Sequence, residues 1–287
     1  MGELYDGKKV QMNDPGDDVA DRERQFPETG RNKSTRLAFI TEAVNRDGFV
    51  TVDVLADELD ISRMTVHRDL DVLQQSGVLR KVRGGASAQR SAQFESDLPY
   101  RMRVAVTEKK AIARAAAGLA TEGDVVIIDD STTSLELLPL IVGRAPMTII
   151  TNFMSAMERL AGKPDTTLIG LGGEYVPRYR AFLGVGCEQA LSELYADVLF
   201  ASTSALRGLE LYHQDQRVVA VKRAMMAAAQ RRVLLMDHTK LGQGALHRLG
   251  SVTDFTHVVV DQKADLSLMS TIAEAGVEVI VAPSSNG

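Results

Sequence analysis

Tryptophan is absent from this 287-residue chain, cysteine occurs once, and aromatic residues make up only 5%. The lone Cys187 excludes an intramolecular disulfide and is consistent with a reducing compartment. No apolar run approaches the roughly 18 residues that span a bilayer, and the N-terminus is acidic where a secretory signal is basic and then apolar. These absences predict a cytoplasmic protein without membrane attachment. No residue pattern calls for a cofactor, a metal ion or catalysis. Positive charge is also in deficit, the formal net charge being -5. The deficit is uneven: residues 31–90 carry ten Lys or Arg against eight Asp or Glu, whereas residues 1–30 carry four against eight. Residues 1–30, with Pro15, Gly16, Pro27 and Gly30 among scattered charges, read as a disordered tail.

What is present begins at residue 31. Leu37, Ile40 and Val44 fall at helical spacing and Gly48 ends that helix, while Val54, Leu55 and Leu59 predict a second, short amphipathic helix. Asp60-Ile61-Ser62 supplies a turn, with Ser62 as the N-cap of a third helix whose inward stripe is Val66, Leu70 and Leu73. Arg63, Thr65, His67 and Arg68 then fall on or near the outward face, where a recognition helix reaches base edges and phosphates. Gly77 stops the helix. The run Val78-Leu79-Arg80-Lys81-Val82-Arg83 alternates apolar with basic residues before Gly84-Gly85, as a strand pair and its turn do, with Arg80, Lys81 and Arg83 toward the phosphates. Residues 31–88 thus have the layout of a winged helix-turn-helix, and double-stranded DNA is the expected partner, with Ser62, Arg63, Thr65, His67, Arg68, Arg80, Lys81, Arg83, Gly84 and Gly85 as the expected contacts.

From residue 107 to 287 strands alternate with helices. Short apolar runs at Val125–Ile128, Met147–Ile150, Thr167–Ile169, Val198–Phe200, Arg232–Met236, His257–Val260 and Val277–Ile280 predict a parallel α/β sheet covered on both faces. Residues 89–106, polar and containing Pro99, read as a linker. In such sheets ligands bind at the carboxyl ends of strands. Polar groups stand there: Asp129 to Thr133, Thr151-Asn152, Gly170 to Gly173, Ser202 to Ser204, and Asp237 to Lys240. The first cluster runs into a helix and offers hydroxyls and N–H groups to an anion. Together they suggest a small polyhydroxy anion as ligand.

The chain resembles the DeoR family of bacterial transcriptional regulators. The resemblance rests on Arg36, Gly48, Leu55-Ala56, Ser62, Thr65-Val66, Arg68-Asp69-Leu70, Gly77 and Gly84-Gly85-Ala86 in the first domain. In the second it rests on Glu108-Lys109, Asp129, Thr132-Thr133, Thr151-Asn152, Gly172-Gly173, Val221 to Met225, and Asp237 with Lys240. It implies a sensor domain with a sugar-phosphate-isomerase fold that binds a sugar phosphate. By that resemblance Thr132 and Thr133 hold the phosphate, Asn152, Gly172 and Gly173 line the pocket, and Asp237 and Lys240 bind hydroxyls or the anion. Asp129, Ser131 and Lys222 complete the expected effector-binding set.

The chain departs from the family pattern at several places. His67 stands where a second arginine is usual, and Arg83 where a histidine is. Ser131, Ser202 and Ala205 replace glycines, so strain at Ser131 is expected. The expected function is a repressor of a carbohydrate catabolic operon, acting as a homodimer or homotetramer under control of a sugar phosphate. The alternatives are an isomerase-like enzyme with a DNA-binding appendage and a regulator whose pocket has decayed.

Overall fold

The computed structural model describes residues 32–75, 78–87, 98–142 and 146–284. The expected tail at 1–30, the helix stop at Gly77 and residues 89–97 of the expected linker lie outside them.

In the N-terminal domain, helix α1 (Lys33–Asp47) is capped by the Asn32 side chain, which accepts from the Ser34 N–H, and stops at Gly48. Strand β1 (Phe49–Thr51) leads into α2 (Val52–Leu59), and α3 (Arg63–Gln75) follows. Ser62 caps α3 as expected, its Oγ accepting from the Thr65 N–H at 3.2 Å. Ile40, Leu55, Val66 and Leu70 are fully buried where the three helices meet. Val54, read as an inward residue, lies instead on the outer side of α2 at 44% exposure, because Val52, Leu55, Ala56 and Leu59 already fill the inner face.

The wing is β2 (Arg80–Val82) and β3 (Gly85–Ser87), and β1 pairs with β3 to make a three-stranded antiparallel sheet. Its glycines have separate causes. Gly84 turns the chain at φ +82, and a Cβ on Gly85 would stand 2.3 Å from the Val50 carbonyl oxygen. Arg36 of α1 and Asp69 of α3 form a buried, two-pronged ion pair, Nε to Oδ2 at 2.5 Å and Nη2 to Oδ1 at 3.1 Å. It fixes the recognition helix against the first helix, a role invisible in an isolated sequence because the partners are 33 residues apart.

The C-terminal domain begins earlier than expected. Helix α4 (Leu98–Arg101) and the start of α5 (Val106–Ala116) occupy residues assigned to the linker. The central sheet has seven parallel strands: β4 (Val125–Ile128), β5 (Met147–Thr151), β6 (Thr166–Gly170), β9 (Ala196–Ala201), β12 (Ala229–Met236), β14 (His257–Asp261) and β15 (Glu278–Ala282). All seven coincide with the expected strands. Alternate side chains feed two cores: Val126, Ile128, Val198, Phe200, Val233 and Leu235 on one face, Ile127, Leu199, Leu234 and Met236 on the other. Helices α6 (Thr132–Ile141), α7 (Met154–Leu160), α8 (Val185–Ser192), α9 (Gln216–Ala228) and α10 (Leu266–Glu274) join them.

Strand order is β15-β14-β12-β9-β4-β5-β6. The chain runs outward from β4 to β5 and β6, then returns to β9 on the other side of β4. The reversal leaves a crevice beyond the carboxyl ends of β4 and β9, the usual ligand position in open α/β sheets. Three further strands border this end of the sheet: β10 (Ala205–Arg207), β11 (Glu210–His213) and β13 (His247–Ser251). The hairpin of β7 (Glu174–Val176) and β8 (Ala181–Leu183) follows β6. None of these five short strands has an apolar run long enough to be legible in the sequence. Among the described residues, no helix is long and apolar enough to cross a membrane.

Candidate functional site: a cationic cavity at the strand reversal

A cavity of about 60 Å³, open to solvent on one side, lies at the reversal. Asp130, Ser131 and Thr132 after β4, Ser202, Thr203 and Ser204 after β9, and Asp237, Thr239 and Lys240 after β12 all reach it. Lys222 enters from α9, His213 from the end of β11, and Arg101, Val104 and Lys109 from the segment that opens the domain.

Asp129 lies beneath the cavity, fully buried. Its Oδ1 accepts from the Ser131 N–H at 3.0 Å, and its Oδ2 accepts from the Ser202 N–H at 2.8 Å and from Lys222 Nζ. Lys222 also donates to Asp130 Oδ1 at 2.8 Å. Burial drives the ammonium toward neutrality, but the two carboxylates outweigh it and hold the Lys222 pKa above its usual value. Burial likewise opposes ionisation of Asp130, yet Lys222 and Arg101 bring it down to about 2. Lys222 thus ties α9 to the β4 end and, through Asp129, to the β9 end, while it also reaches the cavity.

Three other cations have less compensation. Lys240 Nζ donates to Ser202 Oγ at 2.8 Å and stands 3.8 Å from Asp237. Burial lowers its pKa despite Asp237. Lys109 Nζ donates only to a neutral acceptor, the Arg101 carbonyl at 2.5 Å; burial, then Lys240, pushes its pKa down to about 7. Arg101 donates one Nη1 bond to the Asp130 carbonyl and lies over the Tyr179 ring at 5.8 Å. Among the described residues, its Nε and Nη2 are buried without a hydrogen-bond partner, and so are Asp130 Oδ2 and Asp237 Oδ2. His213 Nδ1 accepts from the Asp215 N–H, and burial beside Lys222 lowers the ring's pKa to about 4. The ring is thus neutral at pH 7 and carries its proton on Nε2, a hydrogen-bond donor.

Several expected effector residues stand elsewhere. Thr133 is wholly buried inside α6 with its Oγ1 unpartnered, and it does not line the cavity. Asn152 donates from Nδ2 to the Phe182 carbonyl and accepts at its backbone carbonyl from the Phe182 N–H, tying down the β7–β8 hairpin. Gly173, at φ +135, has no room for a Cβ beside the Leu183 carbonyl, and Gly172 stands next to it in the exposed turn. These three follow β5 and β6, on the far side of β4 from the cavity. The expected strain at Ser131 is also corrected: it has extended φ -89 and caps α6, accepting from the Ser134 N–H. Sequence reasoning missed Arg101, Val104, Lys109 and His213, because none of them follows a strand of the main sheet.

In the N-terminal domain Arg68, Arg80 and Arg83 are exposed. Arg63 is exposed and paired with Asp53 at 2.8 Å. Thr65 is half-buried, its Oγ1 3.0 Å from that of Ser62. His67 is half-buried with Nδ1 enclosed and unpartnered, and Lys81 is bonded to Asp71 at 2.7 Å, bracing the wing against α3. Gly84 is exposed at the wing tip, but Gly85 is buried, which corrects its reading as a contact residue: it serves close packing.

A winged helix-turn-helix joined to an α/β domain with a cationic, partly unsatisfied cavity defines a DNA-binding regulator with a ligand-sensing domain. Residues 36–92 match the DeoR-like helix-turn-helix domain, and residues 104–262 match the DeoR C terminal sensor domain. The chain belongs to the DeoR family of transcriptional regulators. Among its relatives are the transcriptional repressor AccR of Agrobacterium fabrum and the L-fucose operon activator of Haemophilus influenzae. AccR is 30% identical over 83% of this chain and 93% of its own. The activator is 31% identical over 79% of this chain and 91% of its own. A ribose 5-phosphate isomerase A from Methanocaldococcus jannaschii overlaps 46% of this chain and 53% of its own, at 18% identity and a TM-score of 0.34. That likeness is too distant to bear on function.

Proposed function

We propose that this regulator represses a carbohydrate catabolic operon and that a sugar phosphate bound in the cavity changes its affinity for operator DNA. The observation that carries this reading is the pattern of unsatisfied groups around one cavity. Unpartnered guanidinium N–H groups and a nearby lysine pair suit a phosphate, while unpartnered carboxylate oxygens of Asp130 and Asp237 suit sugar hydroxyls. A ligand needs both kinds of group to satisfy both sets. AccR is named a transcriptional repressor and the Haemophilus influenzae relative an activator of the L-fucose operon, which is in keeping with the regulation of a carbohydrate operon.

The reading is of a sensor rather than an enzyme. Asp129 lies beneath the cavity rather than in its lining and is engaged by Lys222 and two backbone N–H groups, a structural placement rather than that of a base. One recognition helix reads only a few base pairs, so a homodimer or homotetramer on paired half-sites is part of the proposal, as is a cytoplasmic location. The test is calorimetry of the full chain against pentose and hexose phosphates, with turnover assayed in the same mixtures. Saturable binding without turnover supports the reading; turnover of a bound sugar phosphate overturns it.

The ionisation of Lys109 makes a pH-dependent prediction. A phosphate favours the charged ammonium, so binding draws in a proton when the free site has lost one. Loss of the Lys109 proton should lower affinity by up to about tenfold per pH unit above pH 7, until the complex itself deprotonates. Calorimetry in buffers of different ionisation heat reads the proton uptake directly. In Lys109→Met the fall above pH 7 should disappear.

A further inference from the structure

Met64 is the most exposed large apolar side chain among described residues 32–87, at 62%. It occupies the first turn of α3, and its placement follows from helical geometry. At about 100° per residue, position 64 stands opposite the middle of the buried set Val66, Asp69, Leu70 and Leu73, with Arg68 beside it one turn on. The two together form the centre of the outward face. Their neighbours are engaged: Arg63 with Asp53, Thr65 with Ser62, and Asp71 with Lys81 of the wing. The expected readers Arg63, Thr65 and His67 therefore lie on the flanks, and the centre belongs to a thioether and a guanidinium.

The chemistry of that pair restricts what it can read. A methionine has no donor and only a weak acceptor, so it cannot match the hydrogen-bonding edges of guanine, adenine or cytosine. The one apolar group that a base presents in the major groove is the thymine C5-methyl. We propose that Met64 is a specificity-determining residue that packs on a thymine methyl in each operator half-site. One helical turn is about 5.4 Å along the axis and a base step about 3.4 Å. Arg68 then reaches a base or phosphate within about two base pairs of that thymine. The inference rests on α3 being the helix that enters the major groove.

The test starts from operator sequences selected by the full-length protein from random DNA. In the selected duplex each thymine is replaced singly by deoxyuridine, which removes only the methyl, and binding is measured by fluorescence anisotropy. Burying one methyl predicts about a fourfold loss in affinity for the wild type at one thymine per half-site. Met64→Ala should bind the unmodified operator several-fold more weakly and show no further loss at that thymine. Since Met64 is exposed, its removal leaves the core intact, and an unchanged melting temperature checks this. If Met64→Ala retains the full uracil penalty at every thymine, or if no thymine matters to the wild type, the assignment of Met64 is wrong. If selection enriches no sequence at all, the DNA reading of α3 falls and takes this proposal with it.

Discussion

Replacing Lys222 by methionine is expected to destabilise the protein by about 3–5 kcal/mol, the range for breaking a buried ion pair on one side only. Asp129 and Asp130 are then left buried without their shared cation, at 0% and 2% exposure. Methionine fills most of the same space, so the loss is one of charge rather than of packing. Urea denaturation followed by circular dichroism measures it. Lys222→Met combined with Asp129→Asn and Asp130→Asn should recover part of the loss, since removing the whole charge set is milder than removing one member. The wild type carries a matching pH signature. The Asp130 pKa is held down to about 2 in the folded chain, so its contribution is fully present above the ordinary carboxylate value and lost as pH falls through 2. If Lys222→Met is as stable as the wild type, the triad is not the lock described here.

Replacing Lys240 by alanine should leave operator affinity within about twofold and raise the sugar phosphate concentration needed for a response by about ten- to a hundredfold. That range corresponds to losing one charge-assisted hydrogen bond worth about 1.5–3 kcal/mol. Lys240 is held by Ser202 and Asp237 within the C-terminal domain, and the exposed basic residues of the recognition helix and wing do not depend on it. Asp237 keeps its bonds from the Thr239 N–H and hydroxyl in the variant, so the loop after β12 retains an anchor. Operator binding is titrated with the ligand for wild type and variant side by side. Equal midpoints would move the effector away from Lys240.

Both variants show what the sequence can and cannot reveal. The seven strands of the main sheet are legible because each is a short apolar run buried on both faces, and the three helices of the DNA-binding domain because their apolar periods and the Ser62 cap are local signals. Strand order is not local. Polar residues after five strands look equivalent in the sequence, but the return of β9 to the near side of β4 gathers three of the groups into one cavity. Asn152, Gly172 and Gly173 are left to hold a hairpin. Arg101 arrives from a segment that polar composition marks only as linker, and Lys109 from helix α5 just after it. Lys222 is recognisable as a residue of interest, while its partners, 92 and 93 positions away, are not. The same holds on α3: helical periodicity locates the buried stripe and the outward position of Met64 opposite it, yet the half-burial of His67 depends on how α1, α2 and the wing surround that helix.

The most direct measurement is an anisotropy titration of the wild-type protein on its selected operator, using sugar phosphates paired with the same sugars lacking phosphate. The account predicts that at least one sugar phosphate changes operator affinity in a saturable manner, that its unphosphorylated partner does not, and that the response weakens above pH 7 as Lys109 loses its proton. An operator affinity unmoved by every sugar phosphate at saturating concentration, or moved equally by the phosphorylated and unphosphorylated member of each pair, would contradict it.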